Sequence, residues 1–186
     1  MIINGKNNRK STINYYNIGL SKTGNTSLTV AFGLLGYKAV SAPSKRATSR
    51  NVFDFLTGVP ACTQYPEFDK RYPGAKFIYT DRDIDSWLKS AKKFWEKALA
   101  RPRTRRLHIR HIQEYGIYHF DATVFRSTYL QHDYCVKEYF KDRPEDLLIM
   151  RICDGDGWDK LCPFLGEKIP EYKFPWRRKQ EYGPAQ

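Results

Sequence analysis

Hydrophobic positions along the chain alternate between short continuous runs and longer stripes spaced three to four residues apart. Runs rich in aromatic and β-branched residues, bounded by turn-forming residues, predict strands over 15–20, 76–80 and 147–152. The stripes predict helices over about 28–35, 83–98, 121–141 and 158–165. Strands that alternate with helices are typical of βαβ units, so the sequence predicts an α/β fold with a central parallel sheet flanked by helices.

The chain of 186 residues has the length of one domain. We assign residues 13–176 to this domain, residues 1–12 to a flexible basic arm and residues 177–186 to a basic tail. Parallel sheets bind ligands at the carboxyl ends of their strands. The loops after Leu20, Thr80 and Ile152 are therefore where we expect the chemistry.

The charge of the chain favours an anionic partner. Its 32 Lys and Arg against 20 Asp and Glu give a net charge of +12, which suits a nucleic acid, a polyanionic polymer or a multiply charged nucleotide. No run approaches the roughly 18 apolar residues of a membrane span, and the start of the chain lacks the apolar segment of a secretory leader. The four cysteines lack Cys-x-x-Cys spacing and are expected to be thiols. We therefore expect a cytoplasmic protein without membrane contact.

The loop after the first strand has the composition of an anion-binding loop. The segment NIGLSKTGNTS runs from a strand through small residues into a helix start, where backbone N–H groups and the helix dipole attract anions. Lys22 adds a positive charge, and Thr26 and Ser27 add hydroxyl groups. The segment is not a Walker A loop, in which the lysine directly follows the second glycine. A plain strand–turn–helix connection is the alternative.

The loop after the second strand carries an arginine and a serine eight residues apart. Arg82 follows the strand, where its planar guanidinium suits a phosphate group, and Ser90 lies about two helical turns on. By itself this pair is weak evidence of a site. The alternative is a helix capped by Asp83 and Asp85 beside a solvated arginine.

Together the two loops resemble those of the sulfotransferase family. GLSKTGNTSL resembles its 5′-phosphosulfate loop, and FIYTDRDIDSWLKS resembles its 3′-phosphate motif. The resemblance, which runs from about Asn17 to Pro175, implies a three-layer P-loop-like fold and the donor 3′-phosphoadenosine 5′-phosphosulfate (PAPS), with no metal. It implies sulfuryl transfer to a hydroxyl or amine of a small-molecule or carbohydrate acceptor. The residues that it implies for the 5′-phosphosulfate are Lys22, Thr23, Gly24, Asn25, Thr26 and Ser27, with Arg82 and Ser90 for the 3′-phosphate.

The chain departs from the family pattern at three places. Gly58 stands where many relatives have an aspartate two residues before a proline, and Asp81 stands where valine usually precedes the arginine. The basic loop that closes over the nucleotide in larger relatives has no clear counterpart in this chain. Arg177 and its basic neighbours Arg178 and Lys179 are the residues that we expect to replace it.

A general base must then come from elsewhere, and His132 is the candidate. Histidine is the side chain that ordinarily titrates near neutral pH, and His132 lies on the apolar stripe of its helix. The alternative is a hydrogen-bonded structural histidine. The spacing of the chain's four histidines speaks against a metal site.

Other functions remain open at this stage. Residues 101–110 contain five arginines, which predict either a solvated loop or an electrostatic funnel for anions. No nucleic-acid motif accompanies them, so nucleic acid is not the expected partner. A P-loop kinase or NTPase, a non-catalytic nucleotide- or polyanion-binding protein, and an inactive sulfotransferase relative are the alternatives to a PAPS-dependent enzyme.

Overall fold

The computed structural model describes residues 2–3, 14–43, 53–99 and 105–176, which alternate between strands and helices. The strands are β1 (Ile2–Ile3), β2 (Tyr15–Asn17), β3 (Ala39–Ser41), β4 (Phe55–Thr57), β5 (Lys76–Thr80) and β6 (Leu147–Met150). The helices are α1 (Asn25–Leu34), α2 (Tyr65–Arg71), α3 (Ile84–Leu99), α4 (Arg105–Tyr115), α5 (Ala122–Tyr139) and α6 (Trp158–Leu165).

The strands form one sheet in the order β1-β3-β4-β2-β5-β6. β1 is antiparallel to β3, and every other neighbouring pair is parallel. The central strand β2 aligns Asn17 with Thr57 of β4 and with Ile78 of β5. The predicted α/β fold is therefore confirmed, and its five-stranded parallel core is consistent with a P-loop-like domain.

Hydrophobic side chains cover both faces of the sheet. Tyr15 packs in a cluster with residues of α1 and α6, whereas its neighbour Tyr16 packs with residues of α2 and α5. Successive strand residues point to opposite faces, which explains why adjacent tyrosines enter different clusters. Phe32 of α1 stacks on Phe55 of β4 with ring centroids 3.9 Å apart. The result is three layers, helix on sheet on helix.

A third cluster joins α3, α4 and α5 near the carboxyl end of β2. Its buried members include Leu20, Trp87, Trp95, Tyr115 and Phe125. The Arg-rich segment is helical from residue 105 onward, where α4 begins, so the solvated loop expected as one alternative is wrong for residues 105–110. Residues 101–104 lie outside the described residues. The helix turns its aromatic side toward α3 and α5, and that orientation brings several of its polar residues to the edge of the sheet.

The sequence also missed elements at the other end of the sheet. It predicts a flexible arm over 1–12, but Ile2 and Ile3 pair with Val40 and Ala39 and extend the sheet. It predicts neither β3 and β4 nor the short helix α2, because elements of three to seven residues show little local pattern. β2 is equally short, but the apolar run that continues to Leu20 marks it.

Two general properties follow from the described residues. None of the helices in these segments combines the length and apolar character that crossing a membrane requires. Cys62, Cys135, Cys153 and Cys162 all lie in the described segments and are thiols.

Candidate active site

A cavity of about 630 Å³ opens at the carboxyl edge of the parallel strands. Loops that follow β2, β3, β4, β5 and β6 all contribute to its lining, and α3 and α4 supply further side chains. This is the edge at which the sequence predicts the ligand, since strand ends in a parallel sheet converge there.

A buried polar network holds the loop that follows β2. The Asn17 side-chain amide donates to Asn25 Oδ1 and to Thr57 Oγ1, both at 2.9 Å. Its Oδ1 accepts from the Gly19 N–H at 3.2 Å and from Thr80 Oγ1 at 3.1 Å. Because Thr57 ends β4 and Thr80 ends β5, these bonds tie the loop to both neighbouring strands.

Thr23, which the resemblance assigns to the phosphosulfate, directs its hydroxyl into this network. Its Oγ1 donates to the Leu20 carbonyl at 2.7 Å and lies 2.7 Å from Thr80 Oγ1. The residue is only 1% exposed and is not among the cavity-lining residues. Its side chain therefore stabilises the loop and does not face a ligand in the cavity.

The backbone of the loop is bent sharply just before α1. Lys22 has φ 77° and Gly24 has φ 114°, both in the left-handed region. A Cβ atom at Gly24 would lie 3.0 Å from Ile152 Cβ, so glycine is required there by space as well as by φ. α1 begins directly after this bend and has no acidic residue in its first turn, which keeps its positive dipole end available to an anion.

Two residues from distant helices hold Ser21, the residue before Lys22. The Trp87 indole N–H donates to the Ser21 carbonyl at 2.8 Å. The Ser21 N–H donates to Glu114 Oε1, and Ser21 Oγ donates to Glu114 Oε2 at 2.8 Å. Burial raises the pKa of Glu114, although hydrogen bonds from Ser21 and Tyr115 oppose the shift.

The sequence analysis did not identify Glu114 as a site residue, because it considered only the arginines in this part of the chain. The available signal is the spacing of Leu107, His111 and Tyr115, which marks one side of a helix. Glu114 precedes Tyr115 and lies close to that side.

The cations of the two predicted loops meet at the cavity. Arg82 Nη1 donates to the Lys22 carbonyl at 3.0 Å, and Arg82 Nε donates to Ser86 Oγ at 2.9 Å. Lys22 Nζ lies 4.8 Å from the centroid of the Phe94 ring. Both side chains line the cavity, so each of the two loops contributes a positive charge to it.

One side of α3 forms the adjoining wall. Ser86, Ser90 and Phe94, spaced four residues apart, all line the cavity. Asp83 caps the helix by accepting from the Ser86 N–H at 2.9 Å. The capping expected in the alternative interpretation is thus present, but it coexists with an arginine that faces the cavity.

The unusual Asp81 lies outside the cavity lining. Its Oδ1 accepts from the Tyr129 hydroxyl at 2.7 Å, and its Oδ2 accepts from Arg151 Nε at 2.8 Å. Burial alone would raise the pKa of Asp81, but these two hydrogen bonds, the Arg82 backbone and the charge of Arg151 together hold it below its ordinary value. The Tyr129 hydroxyl also accepts from the Arg82 N–H at 2.9 Å, so Asp81 supports the backbone of Arg82.

Most of the residues assigned by sequence meet at this cavity. Those that line it are Lys22, Gly24, Asn25, Thr26, Ser27, Arg82 and Ser90. Arg177 lies outside the described residues; its neighbour Trp176 is part of the lining.

His132 lies elsewhere, which corrects its assignment as the base. Its Nε2 is 2.7 Å from the Ile18 carbonyl, to which it donates, and its ring packs near Tyr65 and Tyr79. Burial lowers the pKa of His132, and the bond to Ile18 opposes that shift. It is absent from the cavity lining and has the position expected of a structural histidine.

The cavity lining includes a different histidine. His111 and Arg110 of α4 line it together with Gly58, which has φ 76° and contributes no side chain. Arg110 Nη2 donates to the carbonyls of Ala42 and Pro43, which attaches α4 to the end of β3. Gly58, where the resemblance implies an aspartate, therefore lines the same cavity as the imidazole of His111.

Comparison with known families agrees with this geometry. The Sulfotransferase domain family matches residues 46–182, a range that includes Gly58, Arg82 and Ser90 and begins after the Lys22 loop. No curated protein matches the chain. Within the described segments, no group of three or more His, Cys, Asp or Glu side chains is arranged to hold a metal ion. The family match covers well over half of the chain, which therefore belongs to the sulfotransferase domain family.

Proposed function

We propose that this protein transfers a sulfuryl group from PAPS to a hydroxyl or amine of a small-molecule or carbohydrate acceptor. The observation that carries the proposal is the convergence of two anion-binding loops, from the adjacent strands β2 and β5, on one cavity. Family membership supports sulfuryl transfer in general. The two loops support a donor with anionic groups at both ends of a nucleoside.

The residues at the cavity fit such a donor. The bend before α1 offers backbone N–H groups, the helix dipole and Lys22 to the 5′-phosphosulfate. Arg82 and Ser90 are suited to the 3′-phosphate, because a guanidinium can contact two of its oxygens. PAPS carries about four negative charges, which suits a chain with a net charge of +12.

The reaction that we propose is an in-line displacement. The acceptor oxygen or nitrogen forms a bond to sulfur as the bond between sulfur and the 5′-phosphate oxygen breaks. The acceptor proton passes to a base, and adenosine 3′,5′-bisphosphate leaves. Lys22 stabilises the charge that develops on the bridging oxygen, so catalysis rests on positioning and charge neutralisation.

We assign the base to His111. It lines the same cavity as Gly58, the position at which the chain lacks the aspartate that the resemblance implies. Its ring lies 6.0 Å from that of Phe94, the same ring that Lys22 contacts, so the two residues share one part of the cavity. Neutral imidazole suits proton removal from a hydroxyl near pH 7.

We also propose that the acceptor carries an anionic group, because Arg110 contributes a positive charge to the cavity lining. We further propose that the protein acts in the cytoplasm, in keeping with its four thiols.

A panel of nucleotides tests the donor. Adenosine 3′,5′-bisphosphate at 100 times its dissociation constant stabilises a protein by about 2.7 kcal/mol, which for a domain of this size raises the melting temperature by roughly 5–10 °C. We expect this rise without Mg²⁺, and a much smaller one with ATP or AMP. A larger, Mg²⁺-dependent response to ATP would contradict the proposal and favour a kinase or NTPase.

Replacing Arg82 with alanine tests the 3′-phosphate site. We expect the wild-type protein to favour the 3′-phosphorylated nucleotide over its 3′-hydroxyl analogue by about 10- to 100-fold, the range expected for charge-assisted hydrogen bonds between the guanidinium and the phosphate. Arg82→Ala should remove most of this preference, as measured by calorimetry. Arg126→Ala removes an exposed arginine paired with Asp85 and serves as the control. Unchanged preference in Arg82→Ala would show that the 3′-phosphate binds elsewhere.

A further inference from the structure

Glu114 is a buried carboxylate that the proposed reaction does not use. It is only 7% exposed, and both of its oxygens accept hydrogen bonds from Ser21, one from the backbone N–H and one from Oγ. The Tyr115 hydroxyl donates to Oε1 at 3.0 Å. An isolated carboxylate is costly to bury, and these donors offset part of that cost.

Ser21 is fixed at all of its polar groups. Glu114 accepts from its N–H and its hydroxyl, while Trp87 donates to its carbonyl. The peptide that connects Ser21 to Lys22 therefore has a defined orientation. Ser21 and Glu114 are 93 residues apart in sequence, so this orientation is imposed by tertiary structure.

Lys22 needs such a constraint. Its φ of 77° lies in the left-handed region, which is unfavourable for a residue with a side chain. Two contacts supply the constraint. Ser21, which precedes Lys22, is held by Glu114 and Trp87, and the Lys22 carbonyl accepts a hydrogen bond from Arg82. This conformation directs Lys22 Nζ into the cavity and over the Phe94 ring.

We propose that Glu114 is a positioning residue for sulfuryl transfer, which acts through Ser21 to hold Lys22 in its left-handed conformation and its ammonium group at the reacting end of the cavity. The proposal rests on the function proposed above, because it assigns to Lys22 a role in the transition state. A displacement of about 1 Å in a catalytic group lowers rates by up to about 10²-fold, so the contact has a measurable consequence.

A double-mutant cycle separates positioning from simple stabilisation of the fold. We expect Glu114→Gln to lower kcat about 10- to 100-fold with PAPS, and to change the affinity for adenosine 3′,5′-bisphosphate much less. In a Lys22→Ala background the same substitution should change kcat by less than about threefold, since the group that it positions is gone. An equal loss in both backgrounds would overturn the proposal.

A second measurement does not depend on turnover. We expect the Phe94 ring to shift the NMR signals of the Lys22 side chain in the wild-type protein, because Lys22 Nζ lies 4.8 Å from its centroid. Glu114→Gln should move these signals toward values typical of a solvated lysine. Unchanged signals would also overturn the proposal. If the wild-type protein neither binds the bisphosphate nor transfers sulfuryl groups, the proposed function fails, while the NMR result still decides whether Glu114 positions Lys22.

Two further variants guard against misfolding and general charge effects. Ser21→Ala removes only the Oγ bond and keeps the carboxylate paired with the Ser21 N–H, so a smaller loss of kcat that again requires Lys22 is expected. Glu96→Gln neutralises an exposed carboxylate of α3 outside the cavity lining and should leave kcat unchanged. A loss in Ser21→Ala that persists without Lys22 would count against positioning.

Discussion

Substitution of Lys22 by alanine is expected to lower the turnover of sulfuryl transfer by about 10²- to 10³-fold, the usual effect of removing a group that stabilises transition-state charge. The affinity for adenosine 3′,5′-bisphosphate should fall much less. The bisphosphate lacks the sulfuryl group, so it does not report on the charge that develops at the bridging oxygen as the S–O bond breaks. Steady-state kinetics measures the turnover, and calorimetry on the same preparations measures the affinity for the bisphosphate.

The control for this prediction is Lys92→Ala, which removes an exposed lysine of α3 that does not line the cavity. It changes the net charge by the same amount and should leave both turnover and affinity close to those of the wild-type protein. Equal losses of turnover and affinity in Lys22→Ala would mean that Lys22 only binds the nucleotide. Its role in the transition state would then be wrong, although the donor site would stand.

The two loops were predictable because each is contiguous in sequence. Lys22 and Arg82 each follow a buried strand and precede a helix, and both strands are marked by a run of apolar residues between polar turns. The rule that parallel strands end at one edge then brings the loops together without any knowledge of side-chain contacts. Their adjacency in the sheet, β2 beside β5, is a property that the structure adds.

The shortest elements could not be predicted from local pattern. β3 and β4 contain three residues each, and their pairing is set by register with β2 and with each other. Ile2 and Ile3 form a strand only because β3 offers a partner edge. Such segments acquire their structure from tertiary contacts, which outweigh local preference.

His132 shows what helical periodicity does and does not determine. The pattern correctly places His132 on a side of its helix that faces the protein, but a period cannot tell which neighbour that side meets. The neighbour proves to be the Ile18 carbonyl and the aromatic rings beneath α5, at a distance from the cavity lining. The contact between Glu114 and Ser21 could not be predicted for a related reason, since the two residues are 93 positions apart and share no local pattern.

Replacing His111 with glutamine is expected to lower turnover by about 10²- to 10⁴-fold, the usual effect of losing a general base. A base acts in its neutral form, so the wild-type rate should rise with pH until the base has lost its proton, and the variant should lose this rise because glutamine does not titrate. Binding of adenosine 3′,5′-bisphosphate should persist, since the proposed donor contacts come from Lys22, Arg82 and their loops.

Two of the other histidines provide controls for this prediction. His119 is exposed and outside the cavity lining, so His119→Gln should behave as the wild-type protein. His132→Gln weakens a core contact with the Ile18 carbonyl and should lower the melting temperature, yet turnover per bisphosphate-binding molecule should stay normal. The His111 ring packs on Trp95 with centroids 4.0 Å apart, so His111→Gln could also lower the amount of folded protein. Turnover is therefore expressed per active molecule, as counted by bisphosphate titration. If His132→Gln loses turnover per active molecule and His111→Gln keeps it, the base belongs to α5 and the assignment to α4 is wrong.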